Sequence, residues 1–144
     1  MRIVGNLGKV TTLKSSQNIL ILDIDNIKVD FVNYRYLPLK PIKIIDGIRL
    51  LSTTDIGAMK LAAIVGRGRK RDFTDLYFLL QAYNLRQLLD FYNEKYFDGS
   101  EMMVVRSLTY FEDAENDTVP ELLEIVSWET VKDTILKAVR ELYQ

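Results

Sequence analysis

Two apolar, β-branched runs, residues 18–24 and 27–34, flank the dipeptide Asp25-Asn26. A pair of turn-forming residues between two such runs predicts a two-residue β-hairpin. That register sets Asp23 opposite Lys28 and Ile21 opposite Asp30. Alternation then puts Ile27, Val29 and Phe31 on one face and Lys28, Asp30 and Val32 on the other. After the connection Leu37-Pro38-Leu39-Lys40-Pro41, residues 43–51 repeat the signal about Asp46-Gly47. From Thr53 the period becomes helical. Thr53 or Thr54 is the expected cap, Asp55 complements the positive end of the dipole, and the helix should run to Val65 and stop at Gly66, with Gly68 just beyond. A second helix is expected from Arg71, carrying Phe73, Leu76, Tyr77, Leu79 and Leu80. A third follows Asn84, with Leu85, Leu88, Leu89 and Tyr92 at i, i+3, i+4 and i+7. Asp98-Gly99-Ser100 breaks the pattern. A helical stretch over residues 102–110, an acidic loop through Asp117 and a last helix capped by Ser127 complete the chain. Strands followed by helices predict an α+β fold in one domain, 1–144, with a sheet-rich part at 1–52 and a helical part at 53–144.

Composition narrows the chemistry. The 144 residues are 48% hydrophobic and 27% charged, with 3 prolines and 7 glycines, as in a chain that buries a core. There is no cysteine and no histidine. Disulfides, thiolate nucleophiles, imidazole bases and imidazole or thiolate metal ligands are thereby excluded, and any metal would be a hard, oxygen-liganded ion. No apolar run reaches the ~20 residues of a membrane span, and the opening residues lack the length and flanks of a signal peptide, so a cytoplasmic location is expected. Charge is unevenly spread: residues 1–90 carry 14 Lys and Arg against 8 Asp and Glu, and residues 91–144 carry 5 against 12. A basic front suits contact with phosphates; two halves that neutralise each other suit it equally.

Four features could carry chemistry. Asp30 lies mid-strand among apolar neighbours and calls for a partner or a role. Lys60 is the one charged residue between Ile56 and Val65. It either snorkels to water or an aspartate, or meets an anion such as a triphosphate. Gly66-Arg67-Gly68-Arg69-Lys70-Arg71 sets four cations in a glycine-punctuated turn before a helix start, where backbone N–H groups and guanidinium forks could converge on phosphate. The other reading is a solvated basic turn paired with Asp72 and Asp75. Those two acids lie three apart on one helix face, and Asp75, amid Phe73, Leu76 and Tyr77, calls for Lys60 or Arg71. Asp23-Ile24-Asp25 is read as turn and cross-strand pairing rather than as a metal-binding pair. Glu112, Asp113, Glu115 and Asp117 are read as a solvated loop, since they lack the spacing and central glycine of a calcium loop.

The run Ser52-Thr53-Thr54-Asp55-Ile56-Gly57-Ala58-Met59-Lys60-Leu61-Ala62-Ala63-Ile64, with Arg67-Gly68-Arg69-Lys70-Arg71-Asp72-Phe73-Thr74-Asp75-Leu76-Tyr77, resembles two sequence blocks of the AbiEii toxin-type nucleotidyltransferases. The strand from Ile27 to Val32 resembles that family's later acidic strand, and the segment from Ser107 to Glu115 its distal Y-F-x-D-A-E segment. The resemblance implies a nucleotidyltransferase-like small mixed or antiparallel sheet followed by a C-terminal helical bundle. It implies a bacterial protein that takes a nucleoside triphosphate with magnesium and transfers a nucleotidyl group to an RNA or protein acceptor, some relatives serving as toxins beside a cognate antitoxin. By position, Asp30 becomes the carboxylate beside the metal or the base to the attacking hydroxyl, and Lys60 a triphosphate contact. Asp75, with Asp72 and Arg71, becomes the group that orients Lys60 or the nucleotide; Arg67, Arg69 and Lys70 join the phosphate contacts. The family's opening glycine motif and double-carboxylate strand have no match before Asp30. The chain thus reads as the later part of the fold: a truncated product, a divergent member, or a piece completed by another polypeptide. Alternatives are a non-catalytic phosphate-binding remnant, or an interaction subunit that self-associates through an uncovered sheet.

Overall fold

A computed structural model describes residues 8–144. The chain divides into two compact units, Met1–Tyr36 and Leu37–Gln144. The order of elements is α+β, antiparallel strands first and helices after, in keeping with the nucleotidyltransferase-like arrangement that the resemblance implies.

In the first unit β1 (Val10–Ser15), β2 (Ile19–Ile24) and β3 (Ile27–Val32) form an antiparallel sheet in the order β1-β2-β3. The β2–β3 register matches the sequence reading, with Asp23 opposite Lys28 and Ile21 opposite Asp30. Asp25 and Asn26 both take positive φ, 50° and 68°, the twist that a tight two-residue turn requires. Asp23 accepts the Asn26 N–H at 3.0 Å and Asp25 accepts the Lys9 N–H at 2.9 Å, so both acids are used locally. β1 was not anticipated. Its polar, Thr- and Lys-bearing sequence carries little apolar signal, and its register shifts at a bulge between Thr12 and Lys14.

The second unit begins with β4 (Lys43–Ile45) and β5 (Ile48–Leu50), a separate two-stranded hairpin turning at Asp46 and Gly47, both at positive φ. Helix α1 (Thr53–Arg67) follows. Its cap is Ser52, not the expected Thr53 or Thr54: the Ser52 hydroxyl accepts the Asp55 N–H at 3.1 Å and donates to the Asp55 carboxylate at 2.7 Å. At the other end Gly66 stays helical, and Gly68 instead takes the left-handed conformation that stops the helix, so α1 runs past the expected Gly66.

The remaining helices are α2 (Lys70–Leu79), α3 (Leu85–Lys95), α4 (Glu101–Ser107), the single turn α5 (Glu112–Glu115) and α6 (Trp128–Glu141). Asn84 and Gln87 form a capping box on α3, and Ser127 caps α6. α4 ends earlier than the expected residue 110, and α5 replaces part of the expected acidic loop. Leu61, Phe73, Leu76, Leu88, Leu89, Val104, Leu108 and Ile135 make a closed core. Phe73 lies between Phe111 and Trp128, with ring centroids at 4.9 and 5.9 Å. A Cβ on Gly57 would sit 2.7 Å from the end of Leu88, so the glycine admits close packing of α1 on α3.

Asp55 and Lys95 form an ion pair at 2.7 Å, their side chains 0% and 1% exposed. Asp55 also accepts N–H bonds from Leu39 at 2.8 Å and Lys40 at 3.2 Å, and Lys95 donates to the Leu37 carbonyl at 2.9 Å. Burial alone would raise the Asp55 pKa; the bonds from Lys95, Leu39, Ser52 and Lys40 outweigh it and hold the group at about 2. A depressed carboxylate stabilises the fold above its unfolded pKa and loses that contribution as pH falls through the folded value. Two results are expected. Urea unfolding as a function of pH should show about 2 kcal/mol of stability disappearing between pH 4 and 2. Asp55→Ala, which removes the carboxylate from a buried ammonium, should cost about 3–5 kcal/mol, and Asp55→Leu combined with Lys95→Met should recover only part of it, because the Leu39 and Lys40 N–H groups still lose their acceptor.

Candidate functional site

The residues singled out at the junction of α1 and α2 converge. Lys60 and Arg67 lie on α1, Asp72 and Asp75 on α2, and the Gly68 turn folds one helix back on the other. Asp72 is fully buried. It receives Arg67 through two parallel N–H bonds, Nε and Nη2, each 2.8 Å, the geometry that suits a guanidinium to a carboxylate. Lys60 lies 3.5 Å from Asp72 and 2.5 Å from Asp75. The Lys60 side chain keeps a quarter of its exposure and ends between two aspartates, Asp72 buried and Asp75 half exposed. Burial pushes the Asp72 pKa up, but the bonds from Arg67 and the charges of Arg67, Lys60 and Arg71 bring it below the ordinary carboxylate value. The Asp72 hydrogen bond raises Arg67 in turn.

The basic turn divides into different roles. Lys70 is buried; its ammonium donates to the carbonyls of Glu115 at 3.0 Å and Asp117 at 2.9 Å and sits 5.3 Å from the Trp128 ring centroid. The Asp117 carboxylate accepts the Lys70 backbone N–H at 3.0 Å and the Arg69 guanidinium at 2.8 Å. The anion seat at the start of α2 therefore already holds a carboxylate of this chain. Arg71 is exposed. Two open clefts adjoin the turn: one of about 400 Å³ reaches Arg67, Gly68, Arg106 and Tyr110, and one of about 410 Å³ reaches Arg69, Arg71 and Asp117.

Asp30 belongs to the first unit, whereas Lys60, Arg67, Asp72 and Asp75 belong to the second. Its side chain is half exposed and its partner is Lys28, two residues back on the same face, at 3.5 Å. Among the described residues no three acidic side chains converge where a metal could be held. Magnesium takes oxygen ligands in an octahedron, usually one or two carboxylates with phosphates and waters. A lone carboxylate beside an ammonium does not supply that set, so these side chains do not fit a magnesium site. The acidic segment after α4 is likewise occupied: Glu115 bonds Trp128 Nε1 at 3.0 Å and Lys132 at 2.8 Å, and Asp117 bonds Arg69 and Lys70.

Sequence reasoning assigned Asp55 to the helix dipole and missed its partner Lys95, which the 3.6-residue period places merely at the last turn of α3. Among the described residues, no helix is long and apolar enough to cross a membrane.

Comparison with known proteins gives this arrangement a context. Residues 19–141 match the family described as nucleotidyl transferase AbiEii toxin, type IV TA system. The chain is 36% identical over 144 residues to the uncharacterized protein aq_aa25 of Aquifex aeolicus (strain VF5), covering 97% of this chain and 69% of that protein. No solved structure matches.

The two aspartates should separate on substitution. Asp72→Ala removes a buried acceptor from Arg67 and should lower unfolding stability by about 2–3 kcal/mol. Asp75→Ala, at a half-exposed position, should change it by less than about 1 kcal/mol. Chemical denaturation near neutral pH would read both.

Proposed function

The chain belongs to the nucleotidyl transferase AbiEii toxin family of type IV toxin–antitoxin systems, and from that premise we propose that it binds a nucleoside triphosphate and transfers its nucleotidyl group. The observation that carries the reading is the Asp72-held pair of cations. Arg67 is fixed by a bidentate bond yet half exposed, and Lys60 is poised on the exchangeable carboxylate Asp75. Lys60 moves from Asp75 to a phosphate oxygen, while Asp72 keeps the Arg67 fork oriented. Arg71, and Arg69 once released from Asp117, extend the positive rim, with Lys70 holding the turn in shape.

In the transfer an acceptor hydroxyl, of RNA or protein, attacks the α-phosphorus. The new P–O bond forms as the bond to the β-phosphate oxygen breaks, pyrophosphate leaves, and the hydroxyl proton passes to solvent. Fixed cations lower the barrier by meeting charge that develops on the phosphate oxygens. A cognate antitoxin is the partner that the family association supports.

One observation favours a second reading, phosphate binding without transfer: Asp30 is engaged by Lys28, and the described residues do not assemble a cluster of acids. Binding would then need no metal and would weaken steeply with salt.

Labelled nucleoside triphosphates, each tested with and without magnesium, distinguish the two. Transfer of label that is lost in Asp30→Ala and Lys60→Ala supports the enzyme. Metal-independent, salt-sensitive binding with no transfer supports the second reading. Under either, Lys60→Ala should weaken nucleotide binding about tenfold, whereas Arg86→Ala, on a surface pair with Glu101, should not. Absence of binding to any nucleotide overturns both.

A further inference from the structure

Strand β3 is an edge of the sheet in the first unit: among the described residues it pairs with β2 alone. The two edges of that sheet differ. β1 carries a register shift between Thr12 and Lys14, the kind of bulge that blunts an edge, whereas β3 keeps an unbroken register from Ile27 to Val32. Ile27 is 66% exposed and Phe31 47%. One bond fixes which backbone groups of β3 are free. The Asn33 N–H donates to the Asn18 carbonyl at 2.8 Å, so residues 18 and 33 form a hydrogen-bonded pair. Such pairs alternate along antiparallel strands, so Ile27, Val29 and Phe31 turn their N–H and C=O groups to β2, and Lys28, Asp30 and Val32 turn theirs outward.

The side chains of this edge form a near-palindrome, Ile27-Lys28-Val29-Asp30-Phe31, in which reversal exchanges a cation for an anion and one large apolar residue for another. An antiparallel strand of the same sequence, set with Val29 opposite Val29, brings Lys28 opposite Asp30 and Ile27 opposite Phe31. Lys28 and Asp30 are also the residues whose backbone groups face outward, so each such pair closes two hydrogen bonds. Other registers do worse. Centring on Lys28 or on Asp30 sets like charges opposite, and centring on Phe31 sets Asp30 against Val32.

We infer that two copies of this chain join through their β3 strands in that register, making one continuous sheet from two three-stranded ones. The occupant of the edge is a second copy because the edge is complementary to itself in charge, in apolar side chains and in backbone direction. A two-fold axis through the Val29 pair uses every contact twice and closes. On β2 Asp23 already lies opposite Lys28, so in the dimer each Lys28 is flanked by a carboxylate on either side. Lys28 and Asp30 of one strand are 3.5 Å apart, with side chains 61% and 48% exposed, a surface pair that contributes little and can exchange partners. Charges on an edge strand prevent pairing when they meet their own sign; here the register sets each against the other sign.

Sedimentation velocity on the full chain, from micromolar to about 100 µM and without nucleotide, reads the association. The wild type should dimerise. Lys28→Glu and Asp30→Lys each set like charges opposite twice, and each should associate at least about tenfold more weakly. An equimolar mixture of the two restores unlike pairs and should recover the dimer, as should both exchanges made in one chain. Both side chains are exposed, so far-UV circular dichroism should match the wild type. The register has its own readout, because the chain has no cysteine. Val29→Cys places two thiols across a non-hydrogen-bonded pair, with Cα atoms about 4.5 Å apart, and should give a disulfide-linked dimer on mild oxidation. Lys14→Cys, on the bulged edge, should not. A monomeric wild type overturns the proposal, as do single reversals that dimerise like wild type, folded reversals that fail to recombine, or Lys14→Cys crosslinking as readily as Val29→Cys.

Discussion

The second unit depends on a carboxylate placed in the protein interior. Asp55 and Lys95 are both withdrawn from water, which costs several kcal/mol per ion unless each lone pair and proton is matched. They are matched: the carboxylate takes Lys95, Ser52 and two backbone N–H groups, and the ammonium takes the Leu37 carbonyl as well. No buried side-chain nitrogen or oxygen among the described residues lacks a partner. The pair ties residues 37–40, the first turn of α1 and the last turn of α3 into one node. A hydrophobic contact there would tolerate sliding; hydrogen bonds with fixed directions do not.

That constraint reaches the site through α1. The helix is held at its start by one fully buried aspartate and near its end by another, Asp72, which reaches in from α2 to grip Arg67. A helix fixed at both ends has little freedom to rotate, so Lys60 is presented at one angle. Both aspartates have depressed pKa values for the same reason: burial is overcome by directed donors. The difference lies in what the partner retains. Lys95 is sealed, whereas the Arg67 and Lys60 side chains stay partly exposed, and only the second arrangement leaves cations that solvent can reach.

Much of this was legible in the chain. Asp25-Asn26 and Asp46-Gly47 fixed two turns and a register, because those residues accept positive φ. The i, i+3, i+4 spacing located α1 to α3 and α6, and the isolation of Lys60 on an apolar helix pointed to an acidic partner. What escaped was long-range. Lys95 sits in the last turn of an amphipathic helix, where a lysine is ordinary, and its burial follows from residues 40 positions away. Lys70 reads as one of four equivalent cations, yet Glu115 and Asp117 draw it inside. β1 has polar residues at most of its positions and pairs because β2 offers an edge.

The fate of the basic turn shows why local charge is a poor guide to free charge. Four cations in sequence suggest a strong positive field, but the acidic second part of the chain folds back to meet two of them and the neighbouring Asp72 meets a third. Asp117 takes Arg69 and the Lys70 backbone, two carbonyls take the Lys70 ammonium, and Asp72 takes Arg67. The two charge readings of the sequence, contact with phosphate and internal neutralisation, are therefore not exclusive. A phosphate arriving here would replace carboxylates rather than enter an empty positive pocket, and its net gain is the difference between two anions on the same donors. A triphosphate carries more charge and more acceptor oxygens than a single carboxylate, so exchange favours it, while a singly charged anion gains little. Under the proposed function, neutralisation by exchangeable carboxylates would act as a filter for charge density, with Asp75 and Asp117, both outside the sealed core, as the groups that yield.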